Sequence, residues 1–234
     1  AMNPERPTPM PLKTLCAIAL AAPLVLAGCS KASSEGSQTE SAKPAASASA
    51  SKVEILPTDM VMGSADAPVT LMEYASVTCP ACAAFNTQII PEIKAKFIDT
   101  GKVKLIYREF PTAPANYSII GSVLARCAAE KSGPDAYFLI TDALFRNQQT
   151  WVSKDARAEL TKIIAQAGMD EAALDACVAR KEIVDIVNEN ARLGAEKFGV
   201  TGTPTFFLNG EKMSFRTKED FEKAIADAVA KAGA

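Results

Sequence analysis

Two cysteines separated by a Pro-Ala dipeptide, Thr78-Cys79-Pro80-Ala81-Cys82, lie between an alternating apolar run at residues 67–76 and an Ala-rich segment with near-helical spacing. No other stretch constrains the fold as tightly. The run before the pair reads as a strand. Pro80 suits the first turn of a helix, where its missing N–H costs nothing, so a helix is expected from the cysteines to Gly101, kinked at Pro91. Residues 102–110, "KVKLIYREF", read as a second strand ended by Pro111. Strand, helix and strand in that order form a crossover suited to a parallel pair.

Beyond residue 115 the pattern becomes helical. The segments "SIIGSVLARCAAE", "DAYFLITDALFRNQ", "DARAELTKIIAQAG" and "DEAALDACVAR" are rich in Ala and Leu, begin with Asp or Ser, and are separated by turn residues. Another helix is expected over residues 181–199. It leads to "VTGTPTFFLNGEKMSF", where Asn209-Gly210 marks a hairpin, and a closing helix follows at "KEDFEKAIADAVAKA". The expected class is therefore α/β: residues 53–112 and 183–234 make one sheet domain, with a helical insertion over 113–182 between its halves.

The N-terminal residues read differently. Lys13 precedes the apolar run "LCAIALAAPLVLAGC", which is short for a bilayer span and ends in small residues, as a secretory signal does. Residues 1–28 are expected to be that signal. Residues 29–52 carry Ser and Ala but no large apolar side chain after Cys29, and should form a disordered tether.

The chemistry turns on residue types. The 234 residues contain no histidine, which excludes Ser-His-Asp and Cys-His nucleophiles and removes the commonest metal ligand. A net charge of −2 with no basic cluster makes nucleic acid an unfavourable partner. No Gly-rich phosphate loop occurs. Structural zinc wants four ligands, and one Cys pair with two distant Cys does not supply them, so no metal is expected. A purely structural bridge between Cys79 and Cys82 would close too short a loop to stabilise much. Redox exchange fits better. Cys79 at a helix start would face unsatisfied N–H groups that favour a thiolate, and Cys82, one turn on and more buried, could resolve a mixed disulfide. Cys127 and Cys177 remain as a second pair in an oxidising compartment. They would tie two helices if bonded, or pack as small apolar groups if free.

The stretches "EYASVTCPACAAF" and "GVTGTPTFFLNG", with the helical insertion between them, resemble the DsbA family of thioredoxin-fold thiol–disulfide oxidoreductases, including its lipoprotein-like bacterial members. The resemblance covers residue 55 to the C-terminus. It implies Cys79 as nucleophile, Cys82 as resolving cysteine, Pro80 and Ala81 as the active-site dipeptide, and no cofactor beyond the Cys79–Cys82 disulfide. It implies that Thr203 and Pro204 form the cis-proline loop that holds substrate backbone, with the Thr203 hydroxyl bonded to a cysteine sulfur. It further implies that Glu73 serves proton transfer with Cys82, unless that strand residue is simply solvated. Leu26-Ala27-Gly28-Cys29 is similar to a lipobox, with Cys29 as the lipidated residue, placing a monomer on the periplasmic side of a bacterial envelope. Partners would be reduced or unfolded exported proteins and a membrane oxidant resembling DsbB. A DsbD-like reductant serves the alternative reductase or isomerase role, and a non-catalytic chaperone-like binder is the third reading. The Pro-Ala dipeptide, where the strongest oxidases carry Pro-His, leaves the direction of electron flow open.

Overall fold

A computed structural model describes residues 53–233; the expected signal, the expected lipidation site at Cys29 and the expected tether lie outside the described residues. Five strands form one mixed sheet in the order β1-β3-β2-β4-β5: β1 Met60–Met62, β2 Val69–Ala75, β3 Val103–Glu109, β4 Thr205–Leu208 and β5 Glu211–Lys212. β2 and β3 are parallel, as the crossover requires, and the remaining pairs are antiparallel. Along β2 all residues except Thr70 are buried, because both faces of the sheet are covered. Alternation then sorts the side chains. Leu71, Leu105 and Phe206 pack with Phe85 and Phe221 on one side, while Met72, Tyr74, Ile106 and Phe207 meet Phe198 on the other. Each such side chain contributes about 1.5–3 kcal/mol on burial.

The crossover is not one kinked rod. α1 spans Pro80–Gln88, α2 spans Ile90–Ile93, and a π-helical turn, Lys94–Ile98, completes the path. Pro91 has no N–H for the carbonyl of Thr87, and its ring crowds that carbonyl, so the helix breaks just before it. The hairpin turn is as expected: Asn209 and Gly210 both have positive φ, 50° and 84°, which the twist of a two-residue turn demands.

Between β3 and the return to the sheet lie α3 Ala115–Ser132, α4 Pro134–Arg146, α5 Gln148–Trp151, α6 Ala156–Ile164, a 3₁₀ turn Ala165–Ala167, and α7 Glu171–Val178. Their apolar centre, with Leu124, Ile140, Leu144, Trp151 and Ile164, continues onto Ala75, Val77, Cys82 and Tyr107 of the sheet domain. The insertion and the cysteine loop therefore share a core. Cys127 of α3 and Cys177 of α7 are joined in a disulfide across 50 residues. α8, Lys181–Phe198, then lies against the sheet so closely that a Cβ on Gly194 would sit 2.7 Å from Tyr74 Cε1. α9, Lys218–Lys231, starts in a capping box between Thr217 and Asp220.

Two features have no counterpart in the sequence reading. One is β1, which at three residues is too short for its periodicity to register. Buried Arg108 clasps Asp59, with Nε to Oδ1 at 2.6 Å, and its guanidinium also donates to the Glu54 carbonyl and to Tyr74. That clasp fixes the chain entering the sheet.

Candidate functional site

Cys79 is the N-cap of α1, with extended backbone (φ −81°, ψ 120°), and Pro80 occupies the first helical turn. Its carbonyl accepts the first helical bond from Ala83 N–H at 3.0 Å. Cys79 is half-buried, Pro80 and Ala81 are exposed, and Cys82 is 0% exposed. The two cysteines are present as free thiols. Burial alone would raise the Cys79 pKa, but the Thr203 side chain, the thiol and backbone N–H of Cys82, and the backbone N–H of Ala81 outweigh it, so the pKa is lowered from 9.0. The Ala81 and Cys82 N–H groups are open donors of the helix start. Cys82 is pushed the other way, by burial first and then by the charge of Glu73. The two environments thus ease the thiolate at Cys79 and hold the proton on Cys82.

From β4, the neighbour of β2 in the sheet, the loop that precedes it closes over the pair. The Thr203–Pro204 peptide is cis, and the Cys79 thiol donates to the Thr203 carbonyl at 3.4 Å. The Thr203 hydroxyl favours both thiolates by proximity but makes no hydrogen bond within the described residues. Thr203 therefore bears on the sulfurs in two ways, its hydroxyl by favouring the thiolates and its carbonyl by accepting from the Cys79 thiol. With both sulfurs protonated, neither offers the strong acceptor that a hydroxyl would seek.

Glu73 is 0% exposed, so it is not a solvated strand residue. It lies on β2 opposite Tyr107 of β3 and Phe206 of β4. Burial raises its pKa from 4.5 to about 8, moderated by a hydrogen bond from Asn86 Nδ2 to Oε1 at 2.8 Å. Its Oε2 and the Tyr107 hydroxyl are buried without a partner among the described residues. Asn86 Nδ2 also donates to the Cys82 carbonyl at 3.1 Å, which links acid and resolving cysteine. The sequence reading missed Asn86 although the signal was there: four residues after Cys82, it must share that cysteine's helix face. It also missed Tyr107 and Gln148, whose positions follow from pairing and packing rather than from spacing.

Cys127 and Cys177 belong to the insertion core and are bonded to each other rather than to Cys79 or Cys82. Among the described residues no group of three or more Cys, Asp or Glu could hold a metal ion, and no helix is long and apolar enough to cross a membrane.

A family model described as Thioredoxin matches residues 56–227. A Rickettsia bellii protein named as a candidate protein-disulfide oxidoreductase is 34% identical over 174 residues, which are 73% of this chain and 64% of that protein. The chain therefore spans slightly less than two thirds of that relative's length. Disulfide bond formation protein D of Bacillus subtilis is 29% identical over 173 residues, 70% of this chain and 74% of that protein. Among solved structures, α-DsbA1 of Wolbachia pipientis superposes with a TM-score of 0.67 at 30% identity, covering 76% of this chain and 94% of that one.

Proposed function

The chain belongs to the DsbA-type branch of the thioredoxin family, and from that premise we propose that it is a thiol–disulfide oxidoreductase that oxidises the thiols of exported proteins. The observation that carries this reading is the divided pair at the start of α1: a half-buried Cys79 with a lowered pKa beside a buried Cys82 with a raised one. In the oxidised protein a substrate thiolate attacks Cys79 Sγ. The Cys79–Cys82 bond breaks, a mixed disulfide forms, and Cys82 leaves as a thiolate that takes a proton from Glu73. A second substrate thiolate then attacks the substrate sulfur of the mixed disulfide, forming the product disulfide and releasing Cys79 as a thiolate. Two electrons pass from substrate to the dithiol, and a membrane oxidant resembling DsbB removes them. Because the helix start stabilises the departing Cys79 thiolate, the dithiol form is favoured, which drives oxidation. Thr203 and cis-Pro204 would hold the substrate backbone in strand-like pairing beside Cys79.

The reductase or isomerase reading, with a DsbD-like reductant, is supported by Ala81 within the dipeptide and Thr203 before the cis-proline. Equilibration in glutathione buffers decides between the two. A potential well above that of thioredoxin, about −270 mV, is expected, and a value near it would overturn oxidation. Oxidised protein should also restore activity to reduced, unfolded ribonuclease, whereas the Cys79→Ser variant should not; equal recovery with that variant would favour the chaperone-like binder. The setting we propose is the periplasmic side of a bacterial envelope, reached through the signal at residues 1–28, with a monomer held by lipid on Cys29 and the tether at 29–52. Labelling with a radioactive fatty acid, lost in Cys29→Ala, tests the anchor.

A further inference from the structure

The Cys79 loop meets the helical insertion through polar contacts that the exchange steps do not employ. Ser76 Oγ lies 3.0 Å from Thr78 Oγ1 and 2.8 Å from Ser118 Oγ of α3, and the Thr78 hydroxyl donates to the Thr112 carbonyl at 3.2 Å. Gln148, the first residue of α5, reaches the same loop from the other side. Its Nε2 donates to the Val77 carbonyl at 2.9 Å and to the Cys79 carbonyl at 3.1 Å, so one amide spans both sides of Thr78.

The element that presents Gln148 is itself fixed. Trp151 of α5 is 0% exposed and donates from Nε1 to the Leu144 carbonyl at 2.7 Å. Gly121 of α3 leaves the space this needs: a Cβ there would fall 2.9 Å from Val77 Cγ2 and 3.3 Å from Trp151 Cη2. Val77, α3 and α5 are thus in mutual contact around a missing side chain. A side chain held by packed neighbours can fix a reacting group to within a fraction of an ångström, where a loop alone cannot.

We propose that Gln148 is a positioning residue for the nucleophile, its two donated hydrogen bonds setting the backbone of residues 77–79 so that Cys79 Sγ faces the Thr203 carbonyl and the open N–H groups of α1. This rests on the exchange reading above and deepens it: the insertion orients the sulfur that forms the mixed disulfide and leaves as a thiolate. The Cys79 carbonyl already accepts from Ala83 N–H, and the Gln148 amide uses its second lone pair. Turning that peptide plane would turn Cys79 away from the N–H groups that stabilise its thiolate. The amide's positive end near Cys79 also favours negative charge on sulfur.

The test follows the Cys79 thiolate in the reduced full-length protein, by iodoacetamide alkylation across pH and by ultraviolet thiolate absorbance. Gln148→Met removes the donors at similar length, and Gln148→Glu replaces them with a negative charge. Gln149→Ala, an exposed neighbour, is the control. Alkylation near neutral pH should slow about threefold in Gln148→Met, as expected for losing hydrogen bonds of ordinary strength, and further in Gln148→Glu. The thiolate titration should move up in that same order, with the Cys127–Cys177 bond intact and Gln149→Ala unchanged. Folded variants with the wild-type profile would overturn the inference, as would a shift equal in Gln149→Ala. Alkylation needs no protein substrate. If the wild-type protein fails to oxidise ribonuclease while Gln148→Glu still shifts the profile, only the exchange reading fails.

Discussion

The two cysteine pairs show how far position governs the chemistry of one functional group. Cys79 and Cys82 straddle a helix start, three residues apart, and their environments push their pKa values in opposite directions. Cys127 and Cys177 sit within α3 and α7, buried and bonded to each other across 50 residues. A bridge between Cys79 and Cys82 closes so short a loop that it restrains the unfolded chain little, whereas closing a loop of about 50 residues is worth about 4 kcal/mol in the chain-entropy account. One pair is cheap to open and sits where a thiolate is welcome; the other is costly to open and has no such donors. The first can cycle, and the second staples the insertion.

The sharpest way to break this comparison is to disable each pair in turn. Cys79→Ser should abolish ribonuclease oxidation, by about a thousandfold or more as for other lost nucleophiles, while the double variant Cys127→Ser, Cys177→Ser keeps most of it. Comparable losses in both would refute the division. Next in size is selectivity. In the reduced protein near neutral pH, mass spectrometry should find iodoacetamide on Cys79 at least about a hundredfold faster than on Cys82, which reacts only after unfolding.

Glu73 gives a pH signature of on the order of 5 kcal/mol. Its pKa is about 8 in the folded protein against an ordinary 4.5, so the folded state keeps a proton that the unfolded chain releases. This contribution is complete below about pH 4.5 and is lost as pH rises through about 8. Urea midpoints of the wild-type protein should therefore fall over that window. Glu73→Gln, which mimics the neutral acid and can still accept from Asn86, should flatten the fall and slow the step in which the departing Cys82 takes its proton. An unchanged slope would remove Glu73 from the site. The smallest expected effect is on the staple: the double variant Cys127→Ser, Cys177→Ser should lose about 2–4 kcal/mol in urea unfolding. Near-native stability would show that the insertion core alone suffices.

Much of this was legible in local sequence because the signals are local. Strand, Pro80 at a helix start, the Asn209-Gly210 turn and the Ala/Leu-rich helical block depend on backbone sterics and on periodicity over ten or so residues. The break before Pro91 was underestimated, since a proline signals an interruption but not its extent. β1 was missed because three residues carry no measurable alternation. The site divides in the same way. Cys79 and Cys82 announce themselves by spacing, and Asn86 could have been read from the same helix. Tyr107, Gln148 and the burial of Glu73 belong to partners 34, 69 and 13 residues away in their respective contacts, Glu73 with Tyr107 across β2 and β3, Gln148 with Cys79, Asn86 with Glu73.

By itself the sequence determined which groups could react: thiols and a carboxylate, no histidine, and a helix start beneath Cys79. Residue type and nearest-neighbour backbone geometry are enough for that. Only the tertiary structure decided what those groups would be. Desolvation depends on everything packed around an atom, so it was the closing of sheet, insertion and cis-proline loop that buried Glu73 and Cys82, left Cys79 half-open against Thr203, and bonded Cys127 to Cys177.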